Sequence, residues 1–129
     1  VGAAIADLAD APPKYAVNGR DMLTGIPKQV FTTHVEVAEA LDKSIAKIEE
    51  AVLKALEDTP PELSSDIYRT GIYLTGGGAL LRGLDRRMAA KTKLNVHIAD
   101  DPLRAVVRGT GIALKNSHKY SFLMDRKSI

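Results

Sequence analysis

The sequence predicts an α/β fold built around a strand–turn–helix–strand unit in its second half. Ile72, Tyr73 and Leu74 are a short run of β-formers, and Gly76, Gly77 and Gly78 follow at once. A helical pattern with Leu80, Leu81, Leu84 and Met88 on one face comes next, then a second strand over residues 95–99. Upstream, Val37, Leu41, Ile45, Ile48, Val52 and Leu56 recur at the period of one helix face.

Residues 1–9 read as the last turns of a helix, with Ile5 and Leu8 buried. Ala11-Pro-Pro13 ends it, because proline lacks the amide donor and disfavours helix in the residue before it. Residues 15–18 and 27–32 read as two short strands around the turn residues 19–24, with Pro27 confining the second to an edge. Thr33-His-Val-Glu36 has the capping-box pattern and opens a long helix to about Leu56. Glu39, Asp42, Lys43, Lys47, Glu50 and Lys54 make its solvated face, with Glu39–Lys43 and Glu50–Lys54 as i,i+4 pairs. Thr59-Pro-Pro61 stops it, and residues 62–68 form a short helix leading into the glycine-run strand.

The helix after the glycines runs to about Ala90 and closes at residues 91–93, with two lysines near its C-terminal dipole. Strand, crossover helix and strand then form a parallel, right-handed βαβ unit. His97 alternates with Val96 and Ile98 and is expected on the outer side of its strand. Asp101-Pro102 starts the last helix, aspartate as cap and proline at the first position. Leu103, Val106, Val107, Ile112 and Leu114 supply its apolar side. Gly109 and Gly111 interrupt it at about 1 kcal/mol each against alanine. That cost points to close backbone packing, against the turn at residues 76–78. In the tail, three cations and one short apolar run make a weak membrane anchor, so Tyr120 to Met124 is expected to dock on the domain.

Composition excludes several function classes. The chain has 129 residues, 45% hydrophobic and 26% charged, and no apolar run of the roughly 18 residues that spans a membrane. The lack of cysteine excludes disulfides and cysteine metal sites, and it fits a reducing cytoplasm. A net charge of +2, no tryptophan and 5% aromatics argue against nucleic acid as a partner. His34, His97 and His118 show no ligand spacing, so no metal site is expected. Ser64, Ser65 and Asp66 read as helix-start residues, and Asp100-Asp101 as capping residues. No nucleophile elbow or Cys–His pair is present, and no catalytic residue is assigned. The start carries neither an initiator Met nor a signal-peptide pattern, so the chain reads as the C-terminal part of a longer one.

Three ligand readings compete at the glycines. Gly76 and Gly78 supply the first pair of a dinucleotide fingerprint, with Asp100 near the distance of a ribose-binding acid, but Leu81 stands where the third glycine belongs. Gly78 and Gly83 match the glycines of a phosphate-binding loop, but Leu84-Asp85 replaces its lysine and hydroxyl, which excludes it. The third reading is a bare backbone platform for a nucleoside, helped by free amides of the following helix. A tight turn without a ligand stands beside all three.

The segments Leu74-Thr-Gly-Gly-Gly-Ala-Leu-Leu-Arg-Gly-Leu-Asp85, Ala99-Asp-Asp-Pro-Leu103 and Val107-Arg-Gly-Thr-Gly111 resemble the MreB family of bacterial actin homologues. Pro60-Pro-Glu-Leu63, Asn18-Gly-Arg-Asp21 and Gly25-Ile-Pro-Lys28 extend the resemblance from about Val1 to Asn116. Each motif is modest; their order and spacing together are specific. The resemblance implies a partial actin-like, ribonuclease-H-like ATPase subdomain, a βαβ unit flanked by helices, with a small N-terminal remnant of its neighbour. Residues 1–32 would be that remnant of the outer nucleotide-cleft subdomain, 33–116 part of the core subdomain and 117–129 a tail. Gly76, Gly77, Gly78 and Ala79 would be the adenosine motif.

The implied full-length protein binds ATP with magnesium, forms filaments with itself at the inner face of the cytoplasmic membrane, and governs rod shape by guiding cell-wall synthesis. Its partners would be cell-wall synthesis and membrane-associated shape proteins. The phosphate-binding and hydrolytic residues of that fold lie earlier in the chain, so this part is expected to be inactive alone and to bind no cofactor tightly. Gly77→Val is expected to block the nucleoside and strain a positive-φ position. A bare edge on the strand at residues 72–75 is expected to drive an artefactual homodimer or a swapped arrangement. The alternatives are another actin-like ATPase of the FtsA type, or a dinucleotide-binding enzyme domain using Gly76, Gly78 and Asp100.

Overall fold

The structure is a computed structural model and describes residues 2–121. Its elements are β1 (Tyr15–Arg20), β2 (Pro27–Thr32), α1 (His34–Glu57), α2 (Pro61–Thr70), β3 (Ile72–Leu74), a 3-10 turn (Gly77–Leu80), α3 (Leu84–Thr92), β4 (Val96–Ile98) and α4 (Ala105–Lys115). Strands β1 and β2 form an antiparallel hairpin with Val17 opposite Val30. Strands β3 and β4 pair in parallel with Tyr73 opposite His97, as the βαβ reading requires.

Local chemistry explains most boundaries. The Thr33 side chain accepts from the Glu36 amide, and the Glu36 carboxylate accepts from the Thr33 amide, so both halves of the capping box are present. The hairpin tip is built on Asp21, whose carboxylate accepts from the Leu23 and Thr24 amides. These amides, ahead of the Lys28 ammonium, hold the Asp21 carboxyl below the usual range. Met22 and Leu23 stand out into solvent at that tip.

The core sits where α1 and α3 meet the β3–β4 pair. Ala4, Ile45, Leu84 and Met88 are its buried centre, with Leu41, Leu74, Leu81 and Val96 packed around them. Helix α1 therefore presents the expected face, but its phase is set by Ala38, Ile45 and Glu49, and Ile48 is exposed. Among the described residues, neither Glu39–Lys43 nor Glu50–Lys54 closes to an ion pair.

Four expectations are corrected. Residues 2–10 are no helix; they form an irregular strap in which Ala3 makes a parallel bridge to Arg82. Alanines suit a helix by propensity, but Ala3 and Ala4 are small enough to bury against α3, and that packing wins. The glycines do not open an α-helix directly. A 3-10 turn intervenes, and Gly83 at φ +78° breaks the helical path before Leu84. The last helix begins at Ala105, with Arg104 as cap. Asp101 takes φ +50° and pairs with Arg104 at 2.5 Å, so the chain makes a turn before the helix. A Cβ on Gly109 or Gly111 would meet nothing within 4 Å outside its own helix, so no other element packs closely against these glycines. Instead α4 leaves Val106, Val107, Ile112 and Leu114 exposed. The proposed docking of Tyr120 to Met124 falls largely outside the described residues.

Candidate functional site, the glycine turn

Parallel pairing puts the C-terminal ends of β3 and β4 on one edge, where α/β sheets bind ligands. The glycine turn leaves β3 there. Gly76 adopts φ +77° and ψ 179°, a region essentially restricted to glycine. Its amide donates to the Pro102 carbonyl at 2.8 Å, tying the turn to the β4–α4 connection. The Ala79 amide donates to the Gly76 carbonyl and the Leu81 amide to the Gly78 carbonyl, which closes the 3-10 turn.

The outer side of this turn is bare backbone. A Cβ on Gly76 or Gly78 would meet nothing within 4 Å, and one on Gly77 would meet only Leu103 Cδ2 at 3.6 Å. The positive φ lies at Gly76, so strain at Gly77 is not a reason for glycine there. Ala79 is buried and offers a ligand no methyl group. Gly77 and Gly78 border a groove of ≈ 480 Å³ with Ile45, Ile48, Leu80 and Arg82. Leu80, placed by its periodicity on a buried face, is exposed beside the glycines.

The geometry does not suit a dinucleotide or phosphate loop. In those motifs helix amides meet phosphate directly after the glycines. Here Leu84, the first residue of α3, comes six positions after Gly78, and Gly83 caps that helix. Asp100 lies on the same edge, and its carbonyl accepts from Arg108 at 3.4 Å. Tyr73 and His97 stack on the outer sheet face with centroids 5.0 Å apart, as the alternation of His97 anticipates. Among the described residues no cluster of three His, Cys, Asp or Glu is placed to hold a metal, and no helix is long and apolar enough to cross a membrane.

A second group escaped the sequence reading. Arg87 Nε donates to Glu49 Oε1 at 2.6 Å, and its Nη1 reaches Asp42 at 2.8 Å and the Ala4 carbonyl at 3.1 Å. Glu49 is buried. This node walls a larger cavity of ≈ 850 Å³ between the strap, α1 and α3. The signal was available: Glu49 lies four residues past Ile45, so a carboxylate sits on the buried face of α1.

Fold and turn together define an actin-like ATPase architecture, of which this chain carries a part: mixed sheets flanked by helices, with a glycine turn at the sheet edge. The chain belongs to the MreB/Mbl family. The family described as MreB/Mbl protein matches residues 1–122. The chain is 46% identical over 106 residues to the cell shape-determining protein Mbl of Bacillus subtilis, covering 82% of this chain and 32% of that one. It is 48% identical over 106 residues to the cell shape-determining protein MreB of Escherichia coli, covering 82% and 30%. The crystal structure of MreB5 of Spiroplasma citri bound to ADP superposes with a TM-score of 0.83 at 36% identity, covering 92% of this chain and 35% of that one. The same protein bound to AMPPNP gives a TM-score of 0.81. The chain thus spans about a third of the length of the relatives it matches.

Proposed function

We propose that this chain supplies the nucleoside platform of an actin-like cytoskeletal protein that binds ATP with magnesium, assembles with itself and determines cell shape. The bare outer side of the glycine turn carries this reading. Gly76, Gly77 and Gly78 present backbone to a flat ligand, and Leu80 offers an apolar neighbour. The ADP and AMPPNP of the S. citri relative support an adenine nucleotide as that ligand. Within the longer protein, residues 1–32 belong to an outer subdomain, with the strap packed on α3, residues 33–116 to the core subdomain, and 117–129 to a tail. Filament formation at the inner membrane face and guidance of cell-wall synthesis by partner proteins are the roles of that whole. The chain alone holds no phosphate and hydrolyses nothing. Its exposed apolar surface favours a homodimer that does not represent the filament contact.

Titration of the labelled chain with adenosine, ATP and NAD, followed by amide NMR, tests the site. Millimolar adenosine should shift the amides of residues 76–80, with ATP binding no more tightly than adenosine. Micromolar affinity for ATP, or shifts by NAD alone, would overturn this reading.

A further inference from the structure

The strap is fastened to the segment that follows the glycine turn by two backbone hydrogen bonds and three arginine side chains. The Arg82 amide donates to the Gly2 carbonyl at 3.4 Å, and the Ala4 amide donates to the Arg82 carbonyl at 2.8 Å. Three arginines of the same segment then donate to strap carbonyls: Arg87 to Ala4 at 3.1 Å, Arg86 to Asp7 at 3.3 Å and Arg82 to Asp10 at 3.5 Å. From α1, His34 Nε2 lies 3.0 Å from the Ala6 carbonyl. Gly83 permits the close approach. A Cβ there would sit 2.5 Å from Ile5 Cγ1 and 3.2 Å from Leu8 Cδ2.

Each end of this strap leads somewhere. At one end Leu81 links it to the glycine turn: its amide donates to the Gly78 carbonyl at 3.1 Å, and its side chain lies where a Cβ on Gly2 would be 3.2 Å away. At the other end Ala11-Pro-Pro13 leads to β1, and the fixed φ of two prolines stiffens that spacer. The far strand of the hairpin returns to α1 through Thr32 and Thr33, beside His34. The hairpin base is therefore held by the strap on one side and by the head of α1 on the other.

We propose that the strap is the mechanical link that passes the state of the glycine turn to the β1–β2 hairpin. Both backbone groups of Arg82 are bonded to the strap, so a shift of the turn that moves Arg82 must move or release residues 2–4. A released strap frees the proline spacer and the β1 side of the hairpin base, leaving the head of α1 as the other attachment. The strap has two states, docked and released, and a ligand that stabilises the turn favours the docked one. The inference rests on the nucleoside reading only for the identity of that ligand.

Amide hydrogen exchange on the whole 129-residue chain tests it. Gly83→Ala drives a methyl group into Ile5, and exchange should rise about ten-fold at Ala4, at Leu81 and along the β1–β2 ladder, the size of losing one or two hydrogen bonds. Adding Ile5→Ala removes the contact with Ile5 and should bring those rates part of the way back toward the parent, the left-handed φ of +78° and the Leu8 contact at 3.2 Å remaining. If Gly83→Ala does not fold, Arg86→Gln, which releases one tether, should raise the same set of rates by a smaller factor. Faster exchange at Ala4 with Leu81 and the hairpin unchanged would overturn the link. Millimolar adenosine should slow exchange at Ala4 and in the hairpin. If it shifts no amide of residues 76–80, the nucleoside reading fails, and the variants alone decide the link. If it shifts them and leaves the hairpin unchanged, the link fails.

Discussion

Replacing Arg87 by methionine keeps an unbranched side chain of similar length and deletes the guanidinium. The Arg87 and Glu49 side chains are 18% and 9% exposed and meet at 2.6 Å. Breaking such a buried pair from one side costs about 3–5 kcal/mol, because the remaining charge is left without a partner. Asp42 is 61% exposed, so its arm adds only about 0–1 kcal/mol. Residual solvent at Arg87 puts the expected loss near the lower end, about 3 kcal/mol. Glu49 holds the guanidinium pKa above its ordinary value, ahead of the opposing effect of burial, so the arginine stays charged throughout any usable pH range. The double variant Arg87→Met, Glu49→Leu replaces a buried pair by apolar groups and should recover at least about 2 kcal/mol of the loss. Urea unfolding followed by circular dichroism, with unchanged m-values, supplies all three free energies. A loss below about 1 kcal/mol for Arg87→Met, or a double variant no more stable than the single, would refute the buried-pair argument.

The glycine turn and the capped ends give two further predictions. Gly76→Ala should cost about 1–3 kcal/mol in the same unfolding experiment, because Gly76 occupies a glycine-only region. Gly77→Ala should be nearly neutral, since its Cβ would meet only Leu103 at 3.6 Å; equal costs at the two positions would contradict the geometry. The Glu36 carboxyl is lowered first by the Thr33 amide, then by the Thr32 and Thr33 hydroxyls, and Asp21 by the Thr24 and Leu23 amides. Carboxyls depressed in the folded state contribute stability that is complete above their unfolded values of about 4 and is lost as pH falls through the lowered folded values. Acid titration of unfolding should therefore show stability falling below about pH 4, and Glu36→Gln should shrink that slope. A slope unchanged by that substitution would remove Glu36 from the account.

Signals carried within a few residues were the ones legible in the sequence. Thr33 and Glu36 announce the head of α1 because capping is decided within one turn. The run Ile72, Tyr73, Leu74 and its glycines announced strand, turn and parallel unit, because β-formers and glycines act locally. Distant contacts were not legible. The strap has a helix-forming composition, and its non-helical path is held by Arg82, Arg86 and Arg87, more than seventy positions away in sequence. The leucine period at residues 80–88 runs straight through Gly83, and only its left-handed φ ends the regular path. Asp101-Pro102 carries the letters of a helix start, yet the positive φ of Asp101 spends these residues on a turn. At the site, the glycines were legible and the exposure of Leu80 was not, because the helix expected to bury it begins only at Leu84.

The hairpin tip also has a consequence for oxidation chemistry. Met22 is 88% exposed at that tip, while Met88 is 2% exposed at the centre of the core. Peroxide converts an accessible thioether to its sulfoxide, and no thiol competes for the oxidant in a chain without cysteine. Met22 is therefore a reporter of anything that covers the tip, and Met88 a reporter of the core opening. Peptide-level mass spectrometry during oxidation, which separates both from the third methionine, Met124, reads the two sites together, so masking by a binding partner can be told from unfolding in the same sample.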